Sequence, residues 1–160
     1  KIIQSIKKVK FELSNSNFDP FIVIVSGGEL SSYEKKVLGS LSYLKIENIN
    51  SKDYALILSK VNCLLHPSLI EGFGITILEA LVSNCDVIAY KSKAAFEIAQ
   101  NSIYYFEENN IKSLNNAVIK YIKNKDKLKH KKDFVRKITK RYSWSNSADI
   151  LVKFYDTLAK

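Results

Sequence analysis

The sequence of 160 residues has no methionine, one tryptophan, two prolines and two cysteines. No apolar run approaches the ~20 residues of a membrane-spanning helix, and no signal peptide is predicted. Cys63 and Cys85 lie in apolar surroundings without metal-ligand spacing, which excludes a disulfide framework and predicts reduced core side chains. A chain of this length can fold as one domain without a disulfide or a structural metal. Because Lys1 already begins a helical pattern, we expect a domain excised from a longer protein.

Positive charge is concentrated in one segment. The net charge is +9, and residues 120–141 carry all of it, with eleven Lys or Arg against two Asp. A basic helical pair of this kind fits either docking on anionic lipid or nucleic acid, or a lysine-rich solvated face. Aromatic residues do not interleave the segment as base stacking requires, which disfavours nucleic acid.

Short apolar runs alternate with helical patterns along most of the chain. The runs predict strands at residues 21–25, 43–46, 61–66, 86–90 and 103–106. The intervening patterns predict helices at residues 2–13, 32–38, 51–59, 74–82 and 94–99, and only helices follow residue 106. Wholly apolar strands alternating with helices are typical of a parallel sheet covered on both faces. The fold class is therefore α/β, a Rossmann-like doubly wound parallel sheet with a helical C-terminal segment.

Capping signals mark several helix starts. Ser31 followed by Glu34 is a capping box, and Ser51 is the predicted cap of the next helix. Ser145 is the predicted cap of the last helix. We expect the apolar side chains of that helix to face inward: Leu151, Phe154, Tyr155 and Leu158.

The segment from Pro67 to Leu81, PSLIEGFGITILEAL, is the most informative in the chain. It predicts a strand end that opens onto a helix N-terminus. Gly72 and Gly74 allow the backbone to approach a ligand closely or to take a positive φ. The amides that begin the helix would have no intrahelical acceptor and would suit a diphosphate.

Two carboxylates flank this helix start. Glu79 lies about one and a half turns into the helix, where it could bind a ribose diol, and Glu71 precedes the corner. The spacing alone fits an alternative equally well, in which Glu71 is a surface-loop residue and Glu79 is an ordinary exposed glutamate of the helix. Paired acids also fit a glycosidase, although glycosidases need no phosphate site. His66 is interpreted as packed and His130 as solvated, rather than catalytic.

Ligands of doubly wound sheets bind outside the carboxyl ends of the strands. Three corners are predicted there, at residues 26–28, 47–48 and 67–74. The chain contains no complete G-x-G-x-x-G fingerprint, no G-x-x-x-x-G-K-S/T phosphate loop and no G-x-S-x-G elbow. A crevice built from these corners is therefore the predicted binding site.

Residues 67–90, PSLIEGFGITILEALVSNCDVIAY, resemble the pattern P-S-x-x-E-G-F-G-x-x-x-L-E-A followed by a strand. This is the pattern of family-4 glycosyltransferases of the GT-B fold, and Glu71 and Glu79 match their E-x7-E signature. Residues 22–28, IVIVSGG, and the terminal Tyr142-Ser143-Trp144 extend the resemblance. Residues 1–160 thus resemble a single C-terminal, donor-binding domain, with the N-terminal acceptor domain outside this chain.

The resemblance implies retaining transfer from a nucleotide diphosphate sugar, of UDP or GDP type, without a cofactor or bound metal. Glu71, the implied catalytic residue, would hold the hydroxyls of the donor sugar, and Glu79 those of the ribose. Asn48 would lie near the base. The other implied donor-binding residues are Gly27, Gly72, Phe73, Gly74, Ile75 and Thr76.

The implied partners are the nucleotide-sugar donor, a glycan or lipid-linked acceptor, and the protein's own N-terminal domain. The family's basic diphosphate-binding residues and first strand would lie upstream of this chain, so the chain alone is expected to be inactive. The expected location is cytoplasmic, with peripheral contact at the inner membrane face. Two alternatives remain: a non-catalytic domain that docks on anionic membrane or nucleic acid through its basic helices, and a phosphorylase of the same fold.

Overall fold

A computed structural model describes residues 2–14, 18–39, 41–107, 110–124 and 131–159. The described residues form five strands: β1 (Phe21–Val25), β2 (Ser42–Ile46), β3 (Cys63–His66), β4 (Asp86–Tyr90) and β5 (Tyr104–Phe106). They also form eight helices: α1 (Ile2–Glu12), α2 (Ser32–Leu38), α3 (Ser51–Lys60), α4 (Ile75–Val82), α5 (Lys93–Ala99), α6 (Ile111–Lys123), α7 (Lys131–Arg141) and α8 (Trp144–Leu158). No helix among the described residues is long and apolar enough to cross a membrane.

The strands pair in parallel, as their apolar composition predicts. β1 pairs with β2, and β4 lies between β3 and β5, so the predicted sheet is divided into two. Within the described residues, β1 and β3 each have a single hydrogen-bonded neighbour. The predicted α/β class with parallel strands and flanking helices is confirmed.

The core lies around β4 and α4. Three consecutive β4 residues, Val87, Ile88 and Ala89, are at most 3% exposed. Because successive strand residues point to opposite faces, both faces of β4 are covered. α4 buries Ile77 and Leu81 completely or nearly so, which fixes the helix on which the central motif lies.

The chain divides into two compact units, Lys1–Lys125 and Asp126–Lys160. In the first, α1 contacts α6, and the buried Ser5 hydroxyl donates to the Asn115 side-chain oxygen. In the second, α7 buries Ile138. The basic segment contributes residues 120–123 to α6 and 131–141 to α7, and its residues 125–130 lie outside the described residues.

Two predictions about α8 are wrong. Ser143, not Ser145, caps the helix by accepting from the Asn146 amide. The four apolar side chains expected to face inward are at least half exposed: Leu151, Phe154, Tyr155 and Leu158. Apolar spacing identifies one face of a helix but does not specify what covers that face. The helix itself is therefore confirmed, while the predicted burial of its apolar side chains is wrong.

α2 has the predicted capping box. The Ser31 hydroxyl accepts from the Glu34 amide, and the Glu34 carboxylate accepts from the Ser31 amide. At α3 the prediction is wrong by one residue, because Asn50 is the cap and Ser51 begins the helix.

The capping box at α2 gives a stability prediction. We expect Ser31→Ala to lower the free energy of unfolding by about 1 kcal/mol, the usual value for a lost N-cap. Ser32→Ala is the matched control, because Ser32 lies inside the helix and is exposed. Chemical denaturation of both variants is the measurement, and equal destabilisation would contradict the cap assignment.

Candidate functional site

The loop between β3 and α4 presents an unusual helix start. Gly74 is the N-cap of α4, with φ 90° and ψ 40°, in the left-handed region that favours glycine. It provides no capping side chain. Five other described helices have a Ser or Asn cap that accepts from the third helical residue. The first amides of α4 are therefore not used by a cap.

Glu71 is held by a histidine. Its Oε1 lies 3.1 Å from Nε2 of His66, the last residue of β3. Both side chains are mostly buried, with 12% of His66 and 25% of Glu71 exposed. His66 is packed, as its position after an apolar run predicts, but its contact with Glu71 was not predicted. The only available signal was its position at a strand end, five residues before the acid.

Glu79 lies on α4 and is half-buried. Burial, followed by the negative charge of Glu79, raises the pKa of the Tyr54 hydroxyl on α3. α3 and α4 are in contact, which agrees with this proximity. The two glutamates of the motif thus have different surroundings, a histidine for Glu71 and a tyrosine for Glu79.

A second group of predicted residues lies after β1 and β2. Lys45 joins the two loops, because its Nζ donates both to the Gly28 carbonyl oxygen and to the Glu47 carboxylate. This contact brings the Gly27 corner next to Asn48, which has a positive φ of 51°. The sequence analysis did not identify Lys45, since a lysine inside a short strand carries no local signal of such a contact.

The remaining predicted residues lie at the surface of the loop and the helix start. Gly72, Phe73 and Ile75 are exposed, and Thr76 is half-buried. Gly72 does not take a positive φ, and a Cβ added there would meet nothing within 4 Å. Of these two glycines, only Gly74 has a backbone conformation that favours glycine. The absence of a side chain at Gly72 leaves its backbone accessible.

Two surface cavities lie among the described residues. One of about 210 Å³ lies beside the Lys45 corner and is lined by Glu29, Leu30, Lys35, Tyr43 and Lys45. It is smaller than the ~300–1,000 Å³ of typical ligand pockets. A second, of about 360 Å³, lies between β5 and α6, away from both motif glutamates. Neither cavity is lined by Glu71 or Glu79, and Gly74, between the two glutamates, is buried. Within the described ranges, no three His, Cys, Asp or Glu side chains are grouped to hold a metal ion.

Comparison with solved structures shows the fold. The sucrose-phosphate synthase of Thermosynechococcus elongatus superimposes with a TM-score of 0.70 and 15% identity, over 95% of this chain and 48% of that one. Anabaena Alr3699/HepE, in complex with UDP and glucose, has a TM-score of 0.67 and 15% identity, over 97% and 52%. These likenesses define a Rossmann-like domain of the GT-B type.

Sequence comparison gives the family. Residues 2–141 match the family described as "Glycosyl transferases group 1". A sucrose synthase of Melioribacter roseus is 29% identical over an alignment of 100 residues, and the match covers 57% of this chain and 12% of that protein. The chain belongs to the glycosyl transferases group 1 family, and the predicted resemblance is confirmed. It spans about half the length of the two solved neighbours and about an eighth of the curated relative.

Proposed function

We propose that the chain is the donor-binding part of a retaining glycosyltransferase. It would bind a nucleotide diphosphate sugar, of UDP or GDP type, for transfer to a glycan or a lipid-linked acceptor. The observation that carries the proposal is the uncapped N-terminus of α4, which lies between Glu71 and Glu79 in a chain of this family.

The diphosphate is assigned to the start of α4. The first amides of a helix point outward without intrahelical acceptors, and the helix dipole adds about half a positive charge there. The amides of Gly74, Ile75 and Thr76 are the donors in this position. Gly72, Phe73 and Ile75 are exposed beside them, so ligand atoms can approach the backbone.

The two carboxylates are assigned to the two sugars of the donor. Glu79 accepts hydrogen bonds from the ribose hydroxyls, and Glu71 accepts them from the hydroxyls of the transferred sugar. The corners that Lys45 joins, with Gly27 and Asn48, lie beside the base. HepE, a neighbour with the same fold, is known in complex with UDP and glucose, which supports this class of ligand.

Transfer breaks the bond between the anomeric carbon and the diphosphate oxygen. The acceptor oxygen bonds the same carbon and its proton is released to water, while the bonding electrons leave with the nucleoside diphosphate. Negative charge therefore grows on the diphosphate, where fixed amides at a helix start stabilise it. The acceptor site is assigned to the N-terminal domain, outside this chain.

Calorimetric titration of the chain with UDP, GDP and ADP tests the proposal. We expect one of the three to bind more tightly than the others, and the same nucleotide to bind equally well in EDTA. The matching monophosphate is the control ligand. It keeps base and ribose but lacks the second phosphate, so it should bind more weakly if the α4 amides hold a diphosphate.

Absence of binding by all three diphosphates at millimolar concentration would contradict the donor-binding role. Equal binding of all three, falling steeply with salt, would instead favour the basic helices as a general anion-binding surface. Binding that is lost in EDTA would contradict the proposed absence of a metal.

A further inference from the structure

His66 and Glu71 form a contact that the proposed donor site does not by itself explain. The Nε2 to Oε1 distance is 3.1 Å, and the two side chains are 12% and 25% exposed. An ionised carboxylate can only accept, so the imidazole Nε2 must carry the proton. The contact therefore selects one tautomer of His66 and occupies one of the two oxygens of Glu71.

The two partners differ in how firmly the backbone holds them. His66 ends β3 and lies in register with Ala89 of β4, a residue that is completely buried. Glu71 lies in the loop that follows, outside any helix or strand. A loop glutamate loses side-chain freedom when it binds a ligand, and this loss opposes binding. A hydrogen bond from a strand residue removes part of that freedom beforehand.

The contact leaves the chemistry of Glu71 available. A carboxylate has about four lone-pair sites, and the His66 bond uses one of them. The other oxygen can still accept from sugar hydroxyls. An imidazole N–H bound to a carboxylate is a common way to fix the orientation of a functional side chain.

We propose that His66 is a positioning residue, which fixes the Glu71 carboxylate in the orientation that binds the hydroxyls of the transferred sugar. The inference rests on the proposed function, because it concerns the residue to which that function assigns the sugar. It predicts that His66 affects binding of the sugar of the donor and not binding of its nucleotide.

The first test reads the contact without any ligand. The chain has two histidines, and His130 serves as an internal reference. In a long-range ¹H–¹⁵N correlation spectrum of the neutral rings, we expect His66 in the Nε2–H tautomer. Glu71→Ala should remove the hydrogen bond at Nε2, and so shift the Nε2 and Hε2 resonances of His66, and leave the His130 signals unchanged. A His66 ring already protonated on Nδ1 in the parent chain would overturn the proposal.

The second test compares ligands. We expect His66→Leu to weaken UDP-glucose binding about tenfold while UDP binding changes less than twofold. If GDP is the nucleotide that binds, GDP-glucose and GDP replace them. His66→Gln should retain most of the affinity for UDP-glucose, since a glutamine amide can donate from a similar position. In a Glu71→Ala background, His66→Leu should cause no further loss.

A matched variant separates positioning from a looser loop. The Ser68 hydroxyl donates to the Ile70 carbonyl oxygen at 3.1 Å, within the same loop. Ser68→Ala should leave the ratio of the two affinities unchanged. Equal losses for both ligands in His66→Leu, or the same selective loss in Ser68→Ala, would overturn the positioning role while the proposed function stands. Failure of the parent chain to bind any nucleotide would contradict both.

Discussion

Glu79→Ala is expected to weaken binding of the nucleoside diphosphate by about 1.5–3 kcal/mol, roughly 10- to 150-fold. This is the range for hydrogen bonds that involve a charged group. Glu79 is half-buried on α4, a helix fixed by the buried Ile77 and Leu81. In the proposed function its carboxylate accepts from a ribose diol, and alanine removes both acceptor oxygens at once. Calorimetric titration of the variant measures the loss.

A ligand lacking one hydroxyl makes the same prediction more specific. In the parent chain, the 2′-deoxy form of the nucleotide should bind more weakly than the ribonucleotide. In Glu79→Ala that difference should disappear, because the carboxylate that distinguishes the two is gone. Glu12→Ala is the charge-matched control, since Glu12 lies exposed on α1 and pairs with Lys8. Unchanged affinity in Glu79→Ala, or a preserved preference for ribose, would contradict the ribose assignment.

Gly74→Ala is expected to lower the free energy of unfolding by about 2 kcal/mol. A φ of 90° is strained for any residue with a side chain, at a cost of about 1–2 kcal/mol. The added Cβ would also lie 3.3 Å from Cδ1 of Ile98, a buried residue of α5. A backbone shift that relieves the φ strain or the close contact with Ile98 would move the start of α4. Donor binding should therefore weaken as well. Urea denaturation at constant m-value measures the change in stability.

Gly72→Ala is the matched control for this variant. Gly72 has no positive φ, and an added Cβ would meet nothing within 4 Å. We expect its stability to stay within about 0.5 kcal/mol of the parent. A ligand that approaches the Gly72 backbone would nevertheless meet the new methyl group, so donor affinity should fall without loss of stability. Equal stability of both variants would contradict the conformational role assigned to Gly74.

Local patterns predicted much of this fold. The β-branched and aromatic run of β1 predicts a strand. In α6 the spacing of the apolar residues Leu114, Ala117, Val118 and Tyr121 predicts a helix, and these side chains are buried. The capping box at α2 was predicted to the residue because Ser31 and Glu34 satisfy each other. At α8, by contrast, Ser143 and Ser145 are equally good caps by type, and only backbone geometry decides between them.

Contacts between loops and strands could not be predicted in the same way. The His66–Glu71 contact depends on how the loop after Pro67 turns back toward β3, and no periodicity records that path. The two bonds of Lys45 depend on the pairing of β1 with β2. The motif indicated candidate site residues, while the partners of those residues could be identified only in the folded chain. The division into two sheets was likewise missed, because an apolar run indicates a buried strand without naming its neighbours.

Among the residues that the structure describes, β1 pairs only with β2, which has a consequence for how copies of this chain behave together. β1, with the sequence FIVIV, is entirely β-branched or aromatic and has no charge, and both of its ends are exposed. A strand edge with such side chains is a template onto which a strand from another molecule can add, as in early aggregation. The net charge of +9 opposes this by mutual repulsion. Colloidal stability of the chain therefore depends on its lysines, and added salt weakens that protection.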